Sequence, residues 1–242
     1  MYKPGQCIKS LKHQEINCSE KFTILCWNVA KLTLQGSYHE CLKAMKETYN
    51  IDILLLQEVK KKITKELELY DYSYVLSPNI ETKKHLFGVL SAFKISCEEE
   101  LSILTQKREL VYATHKVSLI TRHKMAHDKE LLIVNLHAIN FVKSSDFNNE
   151  LQSIKETIKS HKGPMIVAGD FNTWNIKRVG MLRGFANELS LKEVGFSDSS
   201  KLKKVFTNCL DYIFYRDLEL TDSKVIESRI SDHNPIIASF RL

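Results

Sequence analysis

The most constraining feature of this chain is a set of short apolar runs that each end in an acid, amide or imidazole. Residues 22–29 (FTILCWNV) carry Asn28, residues 51–56 (IDILLL) are followed by Gln57-Glu58, and residues 130–136 (ELLIVNL) by His137. Residues 165–168 (MIVA) run into Gly169-Asp170-Phe171-Asn172. Leu210-Asp211-Tyr212 opens another such run, and Ser231-Asp232-His233-Asn234-Pro235 leads into the last. Runs this short and this apolar suit strands covered on both faces. Polar groups at the mouths of buried strands are where such folds collect their binding and catalytic groups.

The remaining pattern places helices between strands. Tyr38, Leu42, Met45 and Tyr49 recur at four, three and four, as do Phe147, Leu151, Ile154 and Ile158, which is one face of a helix. Ser145 is a candidate N-cap for the second, and Gly163-Pro164 its stop. Residues 176–189 read as a third helix with Val179, Leu182, Phe185 and Leu189 on one face. Residues 86–93, 110–120, 210–215 and 236–240 read as further strands, and the polar stretch 121–129 as a hairpin tip. Strands dominate without strict alternation with helices, which predicts an α+β sandwich. The 242 residues show no internal repeat and no linker-like segment.

Composition narrows the function classes. At 43% hydrophobic and 26% charged residues the chain is neither disordered nor low-complexity. No apolar run reaches spanning length, and the polar start, with Lys3, Lys9, Lys12 and His13, lacks a signal-peptide core. The expectation is a polar arm or tail over residues 1–20, one catalytic domain over 21–242, a monomer, and a cytoplasmic place. The six scattered cysteines form no C-x-x-C pair and read as reduced structural thiols.

The strand-end inventory has a definite chemistry. Glu58, Asp170, Asp211 and Asp232 are carboxylates, Asn28 and Asn172 amides, His137 and His233 imidazoles. Oxygen-rich sets of this kind suit hard cations, Mg²⁺ or Mn²⁺, and metal-assisted attack of water on a phosphate ester. Singly, each motif is also an ordinary solvated strand end or turn; the informative observation is their joint occurrence. His233 and Asp232 are chain neighbours and face apart, so His233 needs a carboxylate from another strand, and Asp211 is available. Such a partner raises the pKa of the imidazole.

The ordered motifs WNV, LLQE, NLH, GDFN, LDYIF and SDHNP resemble the endonuclease/exonuclease/phosphatase (DNase I-like) superfamily over residues 22–242. NLHAINF, MIVAGDFNTW and LDYIFYRDLEL are similar to its bacterial YafD-like branch. The resemblance implies a four-layer α/β/β/α sandwich of two mixed, mainly antiparallel sheets. It implies Glu58 as the main metal ligand with Asn28 and Asp232 beside it. His233 then sits on the scissile phosphate, oriented by Asp211; Asp170 orients or deprotonates water; Asn172 and His137 donate to phosphate oxygens. It also implies a phosphodiesterase, with a nuclease acting on DNA or RNA as the leading reading. A phosphatase or an inositol-phosphate or phospholipid phosphodiesterase is the alternative within enzymes, and a non-catalytic binding module the alternative outside them. The sequence departs from the repair-nuclease pattern at Leu86, where a tyrosine faces phosphate in those enzymes; Lys84 and His85 are candidates to replace it.

The chain carries a net charge of +6, and lysines cluster at 60–62, 83–84 and, with Arg178, at 177. Together with Trp174 they suggest a track for a polyanion. A charged, solvated face is the competing reading, and Trp27, inside a strand pattern, reads as core.

Overall fold

A computed structural model describes residues 6–13, 18–109 and 114–242. The elements run β1 (Ile8–Ser10), β2 (Lys21–Asn28), α1 (Gly36–Tyr49), β3 (Ile53–Lys62), β4 (Ser73–Glu81), β5 (His85–Phe93), β6 (Glu99–Leu104), β7 (Val117–Lys124) and β8 (Glu130–His137). They continue α2 (Ser144–Ile158), β9 (Met165–Asp170), α3 (Ile176–Glu188), β10 (Lys192–Glu193), β11 (Lys204–Val205), β12 (Asn208–Cys209), β13 (Asp211–Arg216), β14 (Glu219–Val225) and β15 (Ile236–Arg241). Single-turn 3₁₀ segments lie at Ala126–Asp128 and Ser199–Lys201.

Two sheets form, in the orders β1-β4-β5-β3-β2-β15-β14 and β10-β13-β9-β8-β7-β6, with β11 and β12 as a separate hairpin. The β2/β3 and β8/β9 pairs are parallel and the other ladders antiparallel. Each parallel pair is joined through a helix, α1 or α2.

Side-chain parity explains the layers. Along β2, Ile24 and Cys26 face the other sheet and meet Ile133, Ile166, Ala168 and Ile213 in the central core. Leu25 and Trp27 alternate outward and pack with Tyr38, Leu42 and Met45 of α1. Across the second sheet, Leu132, Val134 and Val167 meet Phe147, Leu151, Ile154 and Leu182 of α2 and α3. The result is the four-layer α/β/β/α sandwich. Trp27 is core, stacked on Tyr38 at a centroid distance of 5.8 Å.

Several local expectations are corrected. Strand β7 runs on to Lys124, so the hairpin tip is shorter than 121–129; Thr121 and His123 are buried, and the His123 ring bonds Ser96 O at 2.7 Å. The cap of α2 is Lys143 rather than Ser145, which lies in the first turn, and the helix ends at Ile158, before Gly163-Pro164. Of the strand read at 110–120, residues 110–113 lie outside the described residues and β7 begins at Val117. At the N-terminus, Ile8–Ser10 adds an antiparallel edge strand to β4. The strand Ser73–Glu81 is not among those the sequence pattern predicts; its ladder with β5 shifts register between Pro78 and Ile80.

Close approach of backbone requires glycine at Gly169, beside the site, as it also does at Gly88. Gly169 has φ +150, and a Cβ there would lie 1.9 Å from Leu136 O on the neighbouring strand. Gly169→Ala is expected to cost about 3 kcal/mol or more and to lower Tm by roughly 10 °C. A thermal melt checks this, and a shift under about 2 °C would show that β8 and β9 can separate without cost.

Candidate active site

The site begins where the inner stripe of each strand leaves the core. Asn28 continues Ile24 and Cys26; His137 continues Ile133 and Asn135; Asp170 continues Ile166 and Ala168; Asp211 starts the stripe of Ile213. Register then aligns them, with His137 opposite Asp170 and Asp170 opposite Asp211 across three adjacent strands. Asn28, on the other sheet, donates from Nδ2 to Asp170 Oδ2 at 3.0 Å and so links the two sheets at the cleft.

Glu58 reaches the same place by a different route. Leu54 and Leu56 face outward under α1, so simple alternation would send Glu58 outward too. A register shift in the β3/β5 ladder between Leu56 and Val59, with Glu58 at φ +55, breaks the alternation. The carboxylate turns into the cleft, with Lys31 Nζ at 3.1 Å and His137 Nε2 at 3.8 Å. Beneath the bulge, Gln57 donates from Nε2 to Asn135 Oδ1 at 2.8 Å, and Asn135 Nδ2 donates to Leu90 O at 2.8 Å. Both amides are fully buried, and their pairing ties the sheets together directly below Glu58.

His233 sits in the loop before β15. Its carbonyl accepts from Trp27 Nε1 at 2.8 Å, and Ser231 Oγ donates to Asn28 O at 2.7 Å, so the loop is pinned to the end of β2. His233 Nδ1 lies 2.7 Å from Asp211 Oδ2, and its Nε2 lies 3.8 Å from Asp170 Oδ2. Burial by itself would depress the His233 pKa; the Asp211 carboxylate overrides it, with Asp170 and Asp232 adding, and raises it to about 9. Burial pushes Asp170 up to about 6, reinforced by the Asp211 charge and opposed by His233, Asn172 N–H and Asn28. Burial also raises Asp211, with His233 pulling it back. Asp232 is held below the usual carboxylate range: Lys203, at 3.1 Å, and His233 outweigh its partial burial.

Asn172 lies at φ +50; its Nδ2 donates to Ala138 O at 2.8 Å and its N–H to Asp170 Oδ1 at 3.0 Å. It therefore shapes the loop that presents Asp170. Asn28, Glu58, His137, Asp170, Asn172, Asp232 and His233 line one cleft of about 520 Å³, with Asp211 behind His233.

Three sequence candidates fall elsewhere. Lys84 precedes β5 and His85 begins it, and neither lines this cleft; Leu86 is buried. Trp174 lines a neighbouring groove. The proposed basic track also changes: Lys61 is buried, and none of Lys60, Lys62, Lys83 or Lys177 lines the cleft. Arg178 is wholly buried, donating to Ile139 O (2.9 Å), Asn172 O (3.0 Å) and Val142 O (3.1 Å). It braces the loops after β8 and β9 rather than meeting a ligand. Its spacing to Leu182 and Phe185, four and three, was the available signal. Arg178→Met is expected to destabilise the protein by about 3 kcal/mol, because three carbonyls lose a charged donor. Chemical denaturation measures it, and a loss below about 1 kcal/mol would assign the bracing elsewhere.

The positive charge in the cleft comes instead from Lys31, Lys116 and Lys203. Lys116 Nζ lies 3.1 Å from His137 Nε2 and 3.7 Å from Glu109 Oε2. Burial, then Lys116, His233 and Lys31, push His137 well below its ordinary pKa, so its ring is neutral. No sequence signal marked Lys116, which sits one residue before β7.

The atoms of Asp170, Asp211 and His233 lie within 4.8 Å of one another, a spacing that can hold an ion. The 2.7 Å bond between Asp211 and His233 uses both facing atoms, so this trio is a hydrogen-bonded dyad beside a third carboxylate. Glu58, Asp232 and Asn28 line the same cleft. They offer oxygen atoms of the kind hard cations take, and each carboxylate is ion-paired here, Glu58 with Lys31 and Asp232 with Lys203.

The model of the Endonuclease/Exonuclease/phosphatase family matches residues 25–233. The chain belongs to that family. It is 34% identical over 233 residues to a UPF0294 protein of Klebsiella pneumoniae (strain 342), covering 93% of this chain and 84% of that one, which supports the YafD-like branch. Its fold matches the human Nocturnin catalytic domain with bound sulfate at a TM-score of 0.68 and 17% identity, over 97% of this chain and 96% of that one. It also matches a Neisseria 3′ phosphatase bound to a product DNA hairpin at 0.64 and 16% identity, over 91% and 100%. Members of the endonuclease/exonuclease/phosphatase family are phosphoester hydrolases that generally use divalent metals.

Proposed function

We propose that the chain is a metal-dependent phosphodiesterase, acting as a nuclease on DNA or RNA. The observation that carries this reading is the Asp211–His233 pair at 2.7 Å, facing Asp170 in the cleft that Glu58 and Asn28 also line. Four carboxylates on converging strand ends repel one another, which costs stability unless cations or a ligand compensate. The Neisseria 3′ phosphatase was seen with a DNA product, which supports a nucleic-acid substrate. The free thiols of all six cysteines suit a cytoplasmic setting.

Each residue then has a role set by its surroundings. His233, with Nδ1 occupied by Asp211, presents Nε2 to the cleft as a charged donor for a non-bridging phosphate oxygen. Asp170, raised to about 6, is placed to orient a water and accept its proton near neutral pH. Asn28 and the Asn172 N–H hold the two Asp170 oxygens and fix its direction. Neutral His137 accepts from Lys116 Nζ at Nε2, so its one N–H, on Nδ1, is its donor. Glu58, Asp232 and Asn28 would hold Mg²⁺, or Mn²⁺, which when bound lowers the charge of the phosphate and favours attack on phosphorus.

Incubation with plasmid DNA, single-stranded RNA, inositol phosphates and sphingomyelin, each with Mg²⁺ or EDTA, tests the proposal. Cleavage of a polynucleotide with Mg²⁺ and none with EDTA is the expected result. Cleavage that survives EDTA would remove the metal, and no cleavage of any substrate would leave a binding module.

A further inference from the structure

We infer that the cleft continues into a subsite for an unpaired nucleotide next to the scissile phosphate, with Phe141 as its stacking platform. This rests on the phosphodiesterase reading of the cleft and names its substrate as a single-stranded polynucleotide.

Phe141 lines the catalytic cleft and also a second, adjoining groove of about 1060 Å³. Two costs meet at this residue. Its side chain is 66% exposed, and its backbone lies in the left-handed region at φ +50. A bulky non-glycine residue there is strained by about 1–3 kcal/mol, and an exposed phenyl contributes no burial to offset it. The strain is maintained locally, since Asn140 Oδ1 accepts from Phe141 N–H at 2.9 Å and Arg178 holds the carbonyls of Ile139 and Val142 on either side. The loop is thus braced from beneath to display an aromatic ring at the lip of the cleft.

Beyond Phe141 the groove is lined by Lys107, Arg108, Lys143, Asp146 and Trp174. Three cations against one carboxylate suit the backbone of a polyanion. Trp174 is backed by the Arg178 guanidinium, 5.1 Å from the ring centroid, and turns to the groove as its second aromatic wall. Aromatic rings alternating with cations along a concave track are what unpaired bases and their phosphates require. An inositol phosphate needs a closed basic pocket, and a duplex keeps its bases stacked on each other and offers no face to Phe141.

The test is fluorescence anisotropy in EDTA with a labelled single strand of about a dozen nucleotides, the matched duplex, and phosphatidylcholine/phosphatidylserine vesicles as competitor. The single strand should bind more tightly than the duplex, Phe141→Ala should weaken it about tenfold, and Phe141→Trp should restore it. Lys143→Ser should lower the slope of log K against log salt by about 0.7. Equal binding of wild type and Phe141→Ala, a preference for duplex, or Phe141-dependent binding to vesicles alone would each overturn the subsite. Hydrolysis of bis(p-nitrophenyl) phosphate by the unaltered protein with Mg²⁺ reports on the cleft separately. Its absence, with Phe141-dependent strand binding intact, would end the catalytic reading and leave the strand site; its presence, with strand binding indifferent to Phe141, would do the reverse.

Discussion

Asp211→Asn is expected to lower kcat for phosphodiester cleavage by about 10³-fold and to move the alkaline limb of the pH profile downward. The pair at 2.7 Å is the reason. Asp211 is the main group that keeps His233 charged against its burial, raising it to about 9. An asparagine still accepts a hydrogen bond, yet it supplies no charge, so burial regains control and the imidazolium is lost at neutral pH. The linkage has a definite sign. His233 has a folded pKa above its ordinary 6.5, so the stability it contributes is fully present below about pH 6.5 and lost as pH rises through about 9. Asp211→Asn should therefore melt below wild type at pH 6, by an amount of order 2 kcal/mol, with the gap narrowing by pH 10. A pH–rate profile from 5 to 10 with parallel melts reads both. An alkaline limb that stays in place would show that His233 does not act as the charged donor.

Glu58→Gln is the second large effect. The amide keeps the size of the side chain and removes the charge that the bulge at φ +55 turns into the cleft. Activity with Mg²⁺ should fall by about 10³-fold, and the heat of Mg²⁺ binding in calorimetry should disappear at concentrations where wild type titrates. The fold should be nearly indifferent. Among the described residues the lysine ion pair lost is with Lys31, which is 55% exposed, and such pairs contribute about 0–1 kcal/mol. A large drop in Tm would make Glu58 a structural residue; full Mg²⁺ binding by Glu58→Gln would move the metal to other carboxylates.

The legible part of this molecule follows from alternation. In β2, β8, β9 and β13 the site residue is two positions from a core residue, as Asn28 is from Cys26 and Asp170 from Ala168. A polar residue in the inner stripe, at the end of an apolar run, must lie where the core opens to solvent, and that is readable along the chain. The three helices were readable for the same reason, since each covers one outer face with residues at three and four. Polar sheet edges such as β6 and β14 carry no such signal, and the buried β4 is interrupted by Pro78 at a register shift.

Side-chain partners were less legible, because they depend on chain segments far apart. The basic runs 60–62 and 83–84 attract the eye as a phosphate track, yet strand pairing carries them along β3 and β5 away from the cleft. Lys116, which passes unnoticed in the sequence, becomes the cation beside His137, and Arg178, which reads there as part of a basic cluster, becomes the brace of two loops.

What the sequence determines by itself is the sandwich and the set of groups at its strand ends, because alternation and helical spacing are local rules; the family follows from the likeness of the ordered motifs. The direction of Glu58, the cations of the cleft and the continuation past Phe141 are decided only in three dimensions. A bulge reverses parity without any mark in composition, and the groove past Phe141 is made by three segments, around residues 106–108, 141–146 and 174, that are separate in the chain.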